Sequence, residues 1–252
     1  MSKGENALRV TRAFRSPAAI LVAFGFALLG AAAPALAAKP QALEGIDVSH
    51  YQPQPDWSKV QHAGVSFVIA KATEGRTFVD PQYATYRRQV EAQGLAFTAY
   101  HFARPDKSAG DAVAEADAFV ATAGLTGRDL VPVLDLEDNG GLGVRRLKLW
   151  TKDWLDEVQA RLGVKAIIYA SPAFWRLKLG NSQWFAANGY RLWIADWTTA
   201  NAPTVPAGNW GGKGWTFWQY DNCGSVAGIK GCVDRDRYDG TGLAPLRIRN
   251  NR

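Results

Sequence analysis

The sequence is poor in the residues that carry metal and thiol chemistry: among 252 residues there are three His, two Cys and one Met. His50, His62 and His101 fall at no H-E-x-x-H or other metal-ligand spacing, and the cysteines form no C-x-x-C pair, so no metal or other cofactor is expected. A G-x-S-x-G elbow and a P-loop are missing too, and Gly140-Gly-Leu-Gly143 reads as a flexible loop, not a phosphate cradle. The 25 Gly and 12 Pro follow no period, which rules out collagen-like and coiled-coil chains. Excess charge is scarce as well. The net charge is +6, but Lys3, Arg9, Arg12 and Arg15 stand against one acid, Glu5, in the first 38 residues; the rest holds 25 bases and 22 acids, or +3. That balance leaves no footprint for nucleic acid and supports only weak attraction to an anionic surface or polymer.

Apolar and aromatic surface is abundant: 47% of residues are hydrophobic, with ten Trp, eight Tyr and eleven Phe, enough to fill a core and to exclude disorder. One long apolar run exists. Residues 16–38 carry no charge, follow a basic stretch and end in Ala35-Leu-Ala37, the pattern of a secretory signal peptide. The expected organisation is a signal peptide over 1–38 and one barrel domain over 39–252, secreted or periplasmic, with no stable membrane association after cleavage. The run is also just long enough to span a bilayer, so an uncleaved anchor is the rival reading; Pro34 and the small residues favour cleavage. No twin-Arg pair precedes it. Export makes a disulfide the expected state of Cys223 and Cys232, with two buried thiols as the alternative.

Downstream of Lys39, short apolar runs alternate with amphipathic stretches. Strands are expected over 45–49, 67–70, 95–102, 130–136 and 166–170. Helices are expected from Asp56, from an Asp80-Pro81 cap, through Ala112, Ala116, Phe119 and Ala123, through Leu147, Trp150, Trp154, Val158 and Leu162, and over 175–187. Three further strands, 191–195, 215–220 and 233–235, read as joined by loops without helices, and the tail 246–252 reads as a solvated end. Eight strands with helical cover predict an α/β chain folded as a single parallel-type barrel, TIM-barrel-like.

In such a barrel, chemistry sits where strands end. Asp47, Asp135, Glu137 and Asp234 fall at such ends. Val131, Val133, Asp135 and Glu137 share one strand face and Leu134 and Leu136 the other, so the leucines pack under helices and the acids point into the mouth, their Cα atoms about 6–7 Å apart. Two carboxyls held so close do not both ionise easily, which leaves an acid beside an anion, the pair that glycoside hydrolysis uses. The bland reading is a solvated acid pair, or one neutralised by Lys71. Aromatics supply a second line: Trp197, Trp210, Trp215, Trp218, Tyr220 and Tyr238 crowd the last quarter, where about half are expected to stack against sugar rings, and Tyr100 is placed to reach the site.

Seven short motifs occur in order: Gly45-Ile-Asp-Val-Ser49, Lys71-Ala-Thr-Glu-Gly75, Ala99-Tyr-His-Phe102, Asp135-Leu-Glu137, Leu192-Trp-Ile-Ala195, Phe217-Trp-Gln-Tyr220 and Val233-Asp234. In these the sequence resembles glycoside hydrolase family 25, the lysozymes first described from fungi and bacteriophages, over residues 45 to about 238. The resemblance implies a (β/α)5β3 barrel that cleaves the β-1,4 bond between N-acetylmuramic acid and N-acetylglucosamine in peptidoglycan, without a metal. It implies Glu137 as general acid, Asp135 facing the substrate's acetamido group or the developing cation, Asp47 and Asp234 as further site acids, and Tyr100 as the site tyrosine. Substrate-assisted retention and water-based inversion both stay open. Asp196 and the cysteine loop lie outside the family pattern and bear on subsite preference; Asp196, Lys71, Trp197, Trp218 and Tyr220 complete the expected substrate contacts. A monomer acting on peptidoglycan is the expected state. The competing readings are a barrel that binds glycan or protein without catalysis, and another hexosaminidase such as a chitinase.

Overall fold

The structure, a computed structural model, describes residues 42–249; the expected signal peptide lies outside them. Among the described residues no helix is long and apolar enough to cross a membrane. The chain opens with β1 (Leu43–Val48), α1 (Trp57–His62) and β2 (Val65–Glu74), followed by a two-residue strand β3 (Phe78–Val79) folded back on β2. Then come α2 (Tyr83–Ala92), β4 (Ala96–Phe102), α3 (Asp111–Ala123), β5 (Val133–Asp135), α4 (Val144–Leu162) and β6 (Ile167–Ala170). Short helices α5 (Pro172–Lys178) and α6 (Trp184–Ala187) lead to β7 (Arg191–Ala195), and a helical turn α7 (Pro206–Gly211) leads to β8 (Phe217–Gly224) and β9 (Val233–Tyr238).

Eight of these strands close on themselves in the order β1-β9-β8-β7-β6-β5-β4-β2, with β2 pairing back to β1. All neighbours are parallel except β9, which runs against both β8 and β1. The barrel is therefore the expected parallel-type one, made mixed by a single reversed strand. The cause is the connection: only 225–232 separate β8 from β9, and a parallel return needs a crossover of a dozen or more residues. The disulfide Cys223–Cys232, with Cα atoms 4.3 Å apart, ties the two arms of this hairpin. Closing a loop of nine-residue separation constrains the unfolded chain, so replacing both cysteines by Ser is expected to cost about 2–3 kcal/mol. Urea denaturation of wild type and the double variant measures it, and an unchanged midpoint would show the hairpin is held by its ladder alone.

Period-two alternation sorts the strand residues into two apolar layers. Phe67, Ile69, Val133, Ile167, Trp193 and Phe217 fill the barrel itself. Val68, Leu134, Ile168 and Ile194 face outward, under Tyr86, Phe119, Trp154 and Trp175 of the helices. Gly45 belongs to the inner set, and a Cβ there would lie 2.2 Å from the Phe67 ring, so glycine is what lets that ring occupy the barrel floor. Local chemistry sets the helix ends. Ser171 accepts from the Phe174 amide ahead of Pro172 in α5, and Gly163 ends α4 at φ 70°.

Four local expectations change. The 175–187 helix is two, divided where Gly180 and Asn181 take positive φ. A helical turn, α7, stands between β7 and β8. α2 begins at Tyr83, not at Pro81, because the Asp80 carboxylate accepts from the Gln82 amide and from both the amide and Nδ1 of His50. The tail is no solvated end as far as residue 249: Leu246 and Ile248 are buried, Val131 N–H donates to Leu246 and Ile248 N–H to Asp129.

Candidate active site

Register places the chemistry at one end of the barrel. Asp47 lies opposite Ile69 on one side and Asp234 on the other, because β9 enters from the mouth. Across the neighbouring strands, Lys71, Tyr100 and Val133 stand level, and Phe102, Asp135 and Tyr169 form the next row toward the mouth. Asp135 is buried, while Glu137, two residues on, reaches the open rim.

Two groups of acids make up the site. In the first, burial pushes Asp135 well above the usual carboxylate range, and the charge of Glu137 adds to it; Lys71 partly offsets both. Glu137 is raised by desolvation and lowered by its hydrogen bond to Asp135 and by Lys71 and Arg104. The two titrate as one unit that keeps a proton toward neutrality. In the second group, Asp47 is raised well above its ordinary value by burial, then by Asp236 and Asp234. Asp234 is raised to about 6, again chiefly by desolvation. Asp236, fully buried, accepts from Trp193 Nε1 at 2.8 Å through Oδ1, and its Oδ2 has no hydrogen-bond partner among the described residues.

Neutral donors hold this second group in place. Gln219 Nε2 donates to Asp47 Oδ2 at 2.8 Å, while Gln219 Oε1 accepts from the Tyr169 hydroxyl at 2.9 Å and from Trp197 Nε1 at 3.0 Å. One amide thus fixes an acid at the floor and an indole at the rim. Tyr100 is buried among the acids, and burial with the charges of Asp47 and Asp135 holds its hydroxyl protonated. The Lys71 ammonium is 2.5 Å from Glu74 Oε2 and 4.8 Å from the centre of the Phe102 ring. Arg104 meets the other Glu74 oxygen at 2.7 Å.

A cleft of about 320 Å³ opens beside the acids, lined by Glu137, Tyr169, Ala195, Asp196, Trp197 and Arg176 among others. Trp197 is 56% exposed there, an indole face offered to solvent. Asp196 lines the same cleft, and its Oδ2 accepts from the Thr204 amide at 2.7 Å, which pins the loop that carries Trp197.

The other expected aromatics do not line it. Trp218 and Tyr220 point out of the barrel: Trp218 is buried in the outer layer with Nε1 donating to the Asp196 carbonyl, and the Tyr220 hydroxyl donates to Glu44 at 2.6 Å. Trp210 and Trp215 pack in the same outer layer, and Tyr238 sits on the barrel floor against Phe217. The phase of β8 decides this, since Phe217 and Gln219 take the inner face. Gln219, Tyr169 and Asp236 were not singled out from sequence as site residues. The signal was present: each lies two residues from another inward residue on its strand, Phe217, Ile167 and Asp234 respectively.

A closed α/β barrel with coupled acids at its mouth and an indole beside them is the architecture of a glycoside hydrolase, an enzyme that needs an acid and an anion across one bond. Sequence comparison agrees: the pattern of glycosyl hydrolases family 25 matches residues 46–229, and the chain belongs to that family. It is 37% identical over 218 residues to Lysozyme M1 of Streptomyces globisporus, covering 83% of this chain and 72% of that one. It is 33% identical over 216 residues to the N,O-diacetylmuramidase of a Chalaropsis species, covering 79% of this chain and 100% of that one. The crystal structure of the bacterial lysozyme from Streptomyces coelicolor superposes with a TM-score of 0.76 at 36% identity, over 82% of this chain and 98% of that one.

The raised acids have a consequence for stability. A carboxyl whose pKa is higher in the folded protein binds its proton more tightly there. It stabilises the fold below its unfolded value and loses that contribution as pH climbs through the folded one. For Asp234 the window runs from 3.8 to about 6, and Asp47, Asp135 and Asp236, raised in the same direction by burial, add to the loss. Buried His101 works the other way, since burial lowers it, but it is one group against these four. Melting temperature is expected to fall between pH 5 and pH 8. Asp236→Asn keeps the acceptor for Trp193 and removes a buried charge, so it should raise Tm at pH 8 by about 2–4 °C, the shift of ~1 kcal/mol in a domain this size. Circular dichroism melts across pH decide it; a Tm lowered at pH 8 would mean the Asp236 charge is already compensated.

Proposed function

We propose that this chain is an exported peptidoglycan hydrolase, a muramidase cutting the β-1,4 bond between N-acetylmuramic acid and N-acetylglucosamine. The observation that carries it is the coupled pair Asp135 and Glu137 at the barrel mouth, one buried and one at the rim, facing a second acid group. Substrate lies across the mouth with a sugar face on Trp197. Glu137 gives its proton to the leaving glycosidic oxygen as the bond to the anomeric carbon breaks; water, directly or after the acetamido oxygen has closed on that carbon, supplies the new hydroxyl and returns a proton to the acid pair. Asp135, drawn to its charged form by the acetamido group and the cation developing beside it, passes the shared proton toward Glu137 and faces that cation. Asp47 and Asp234 complete the acidic wall, with Gln219 and Tyr169 fixing Asp47. Lys71 moderates the field on both members of the first pair, and Tyr100 offers a neutral hydroxyl among the acids. Asp196 shapes the cleft beside Trp197.

Digestion of purified peptidoglycan with mass analysis tests the reading. New reducing ends should be muramic acid. A glucosamine end would mean the other bond, an anhydro-muramic end a lytic transglycosylase, and no cleavage with retained glycan binding a non-catalytic barrel. Export rests on residues 1–38: mature protein should begin at Ala38 or Lys39, whereas an intact N-terminus held in membranes would make that segment an anchor. The enzyme acts as a monomer on this reading, which size-exclusion chromatography checks.

A further inference from the structure

The closed end of the barrel, opposite the mouth, carries a second and larger cleft of about 670 Å³, within the ~300–1,000 Å³ range of ligand sites. Among the described residues five cations line it and no acid does: Lys165, Arg191, Lys213, Arg247 and Arg249. All five are exposed, and none takes part in an ion pair among the described residues.

Their convergence follows from the chain's construction. The tail alternates, so burying Leu246 and Ile248 against the barrel floor turns Arg247 and Arg249 outward. Arg191 opens β7, Lys165 precedes β6, and Lys213 follows α7, all at the ends of elements that start or stop on this face. The lysines are fixed by backbone: Lys165 Nζ donates to the Asn188 carbonyl at 2.5 Å, and Lys213 Nζ to the Ala186 carbonyl at 2.6 Å. Lys165 also lies 5.2 Å from the centre of the Tyr190 ring. Arg191 and Arg249 make no side-chain hydrogen bond among the described residues and are free to grip an anion. Asp239 follows β9 at this end but is not part of the lining.

Five like charges gathered without acids repel one another, and a chain whose charges otherwise nearly balance has no electrostatic reason to keep them together. We propose that this cleft binds a phosphate-bearing anionic polymer, a phosphodiester chain associated with the wall that the enzyme digests. Five cations lining one cleft match a polymer of repeating anions better than a single carboxylate, which would neutralise one of them. Because the cleft is at the end away from Asp135 and Glu137, the polymer would tether the enzyme and leave its mouth open. The wall location of the polymer rests on the proposed peptidoglycan activity; the binding of phosphate chains does not.

The test separates the two. Titration calorimetry with inorganic polyphosphate as probe should show binding that weakens with salt. Arg191→Glu/Arg249→Glu, which breaks no hydrogen bond in the structure, should weaken it about tenfold or more, as reversal of two charges in a screened site implies. Arg88→Glu/Lys178→Glu, an equal charge change at exposed positions outside the cleft, should bind as wild type does. Hydrolysis of soluble peptidoglycan fragments should be equal in all three proteins, while intact walls should be cut more slowly by the Arg191/Arg249 variant until their phosphodiester polymers are stripped. Equal loss of polyphosphate binding in both double variants would overturn the proposal, as would binding to phosphatidylglycerol vesicles with none to polyphosphate. An enzyme inactive on every wall that still binds polyphosphate through Arg191 and Arg249 would sink the muramidase reading and leave the anion site standing.

Discussion

Glu137→Gln is expected to abolish peptidoglycan cleavage while glycan binding and fold survive. The side chain stands at the open rim of the mouth, so the amide replaces a carboxyl without opening a cavity. What goes is the proton. A carboxyl at the rim raised by desolvation is able to donate to a leaving oxygen near neutrality, and general acid catalysis is worth about 10²–10⁴-fold. The loss should fall on kcat, with KM nearly unchanged, because the amide still hydrogen-bonds the glycosidic oxygen. Stability should rise slightly at pH 8, since one charge of a crowded pair is removed. Release of soluble muropeptides measures the first effect, and circular dichroism confirms the fold. Wild-type rates in a folded Glu137→Gln protein would remove Glu137 from the role of acid.

How much of this site was legible in the sequence depends on whether a strand has two different faces. In β5 and the two residues that follow, it does: Leu134 and Leu136 alternate with Asp135 and Glu137, and only one phase buries leucine under helices. The acid pair could therefore be placed from sequence. In β8 the run Trp215-Thr-Phe-Trp-Gln-Tyr220 puts large aromatics on both faces, because a barrel strand is buried on both sides. Periodicity then says nothing about phase. The register of Phe217 against Trp193 and of Gln219 against Ala195 settles it, and turns Trp218 and Tyr220 away from substrate. The reversal of β9 was readable in principle from the short 225–232 connection, which is too brief for a crossover. The tail was misread because its arginines outweigh two apolar residues in composition, although their alternation is a strand-like signal.

Asp135→Asn is expected to cripple the enzyme by a different route and to leave a signature in its pH profile. Asp135 is buried, with Oδ1 unpartnered among the described residues, and faces Glu137 across the one proton they hold. An amide there cannot become negative as the glycosidic bond breaks, so the developing cation loses its stabilising charge. Loss of one fixed electrostatic partner at a transition state costs about 10²–10³-fold in kcat. The amide also donates a hydrogen bond to Glu137 whatever the pH, which favours the charged form of Glu137 and lowers its pKa. The alkaline limb of the pH–rate profile, where the acid loses its proton, should therefore move to lower pH in Asp135→Asn. A variant that acted only through packing would lower the rate evenly across pH and leave the limb in place. Measuring residual kcat over pH 4–8 separates these outcomes. If the rate falls with no movement of the limb, Asp135 holds substrate but does not share the proton of Glu137.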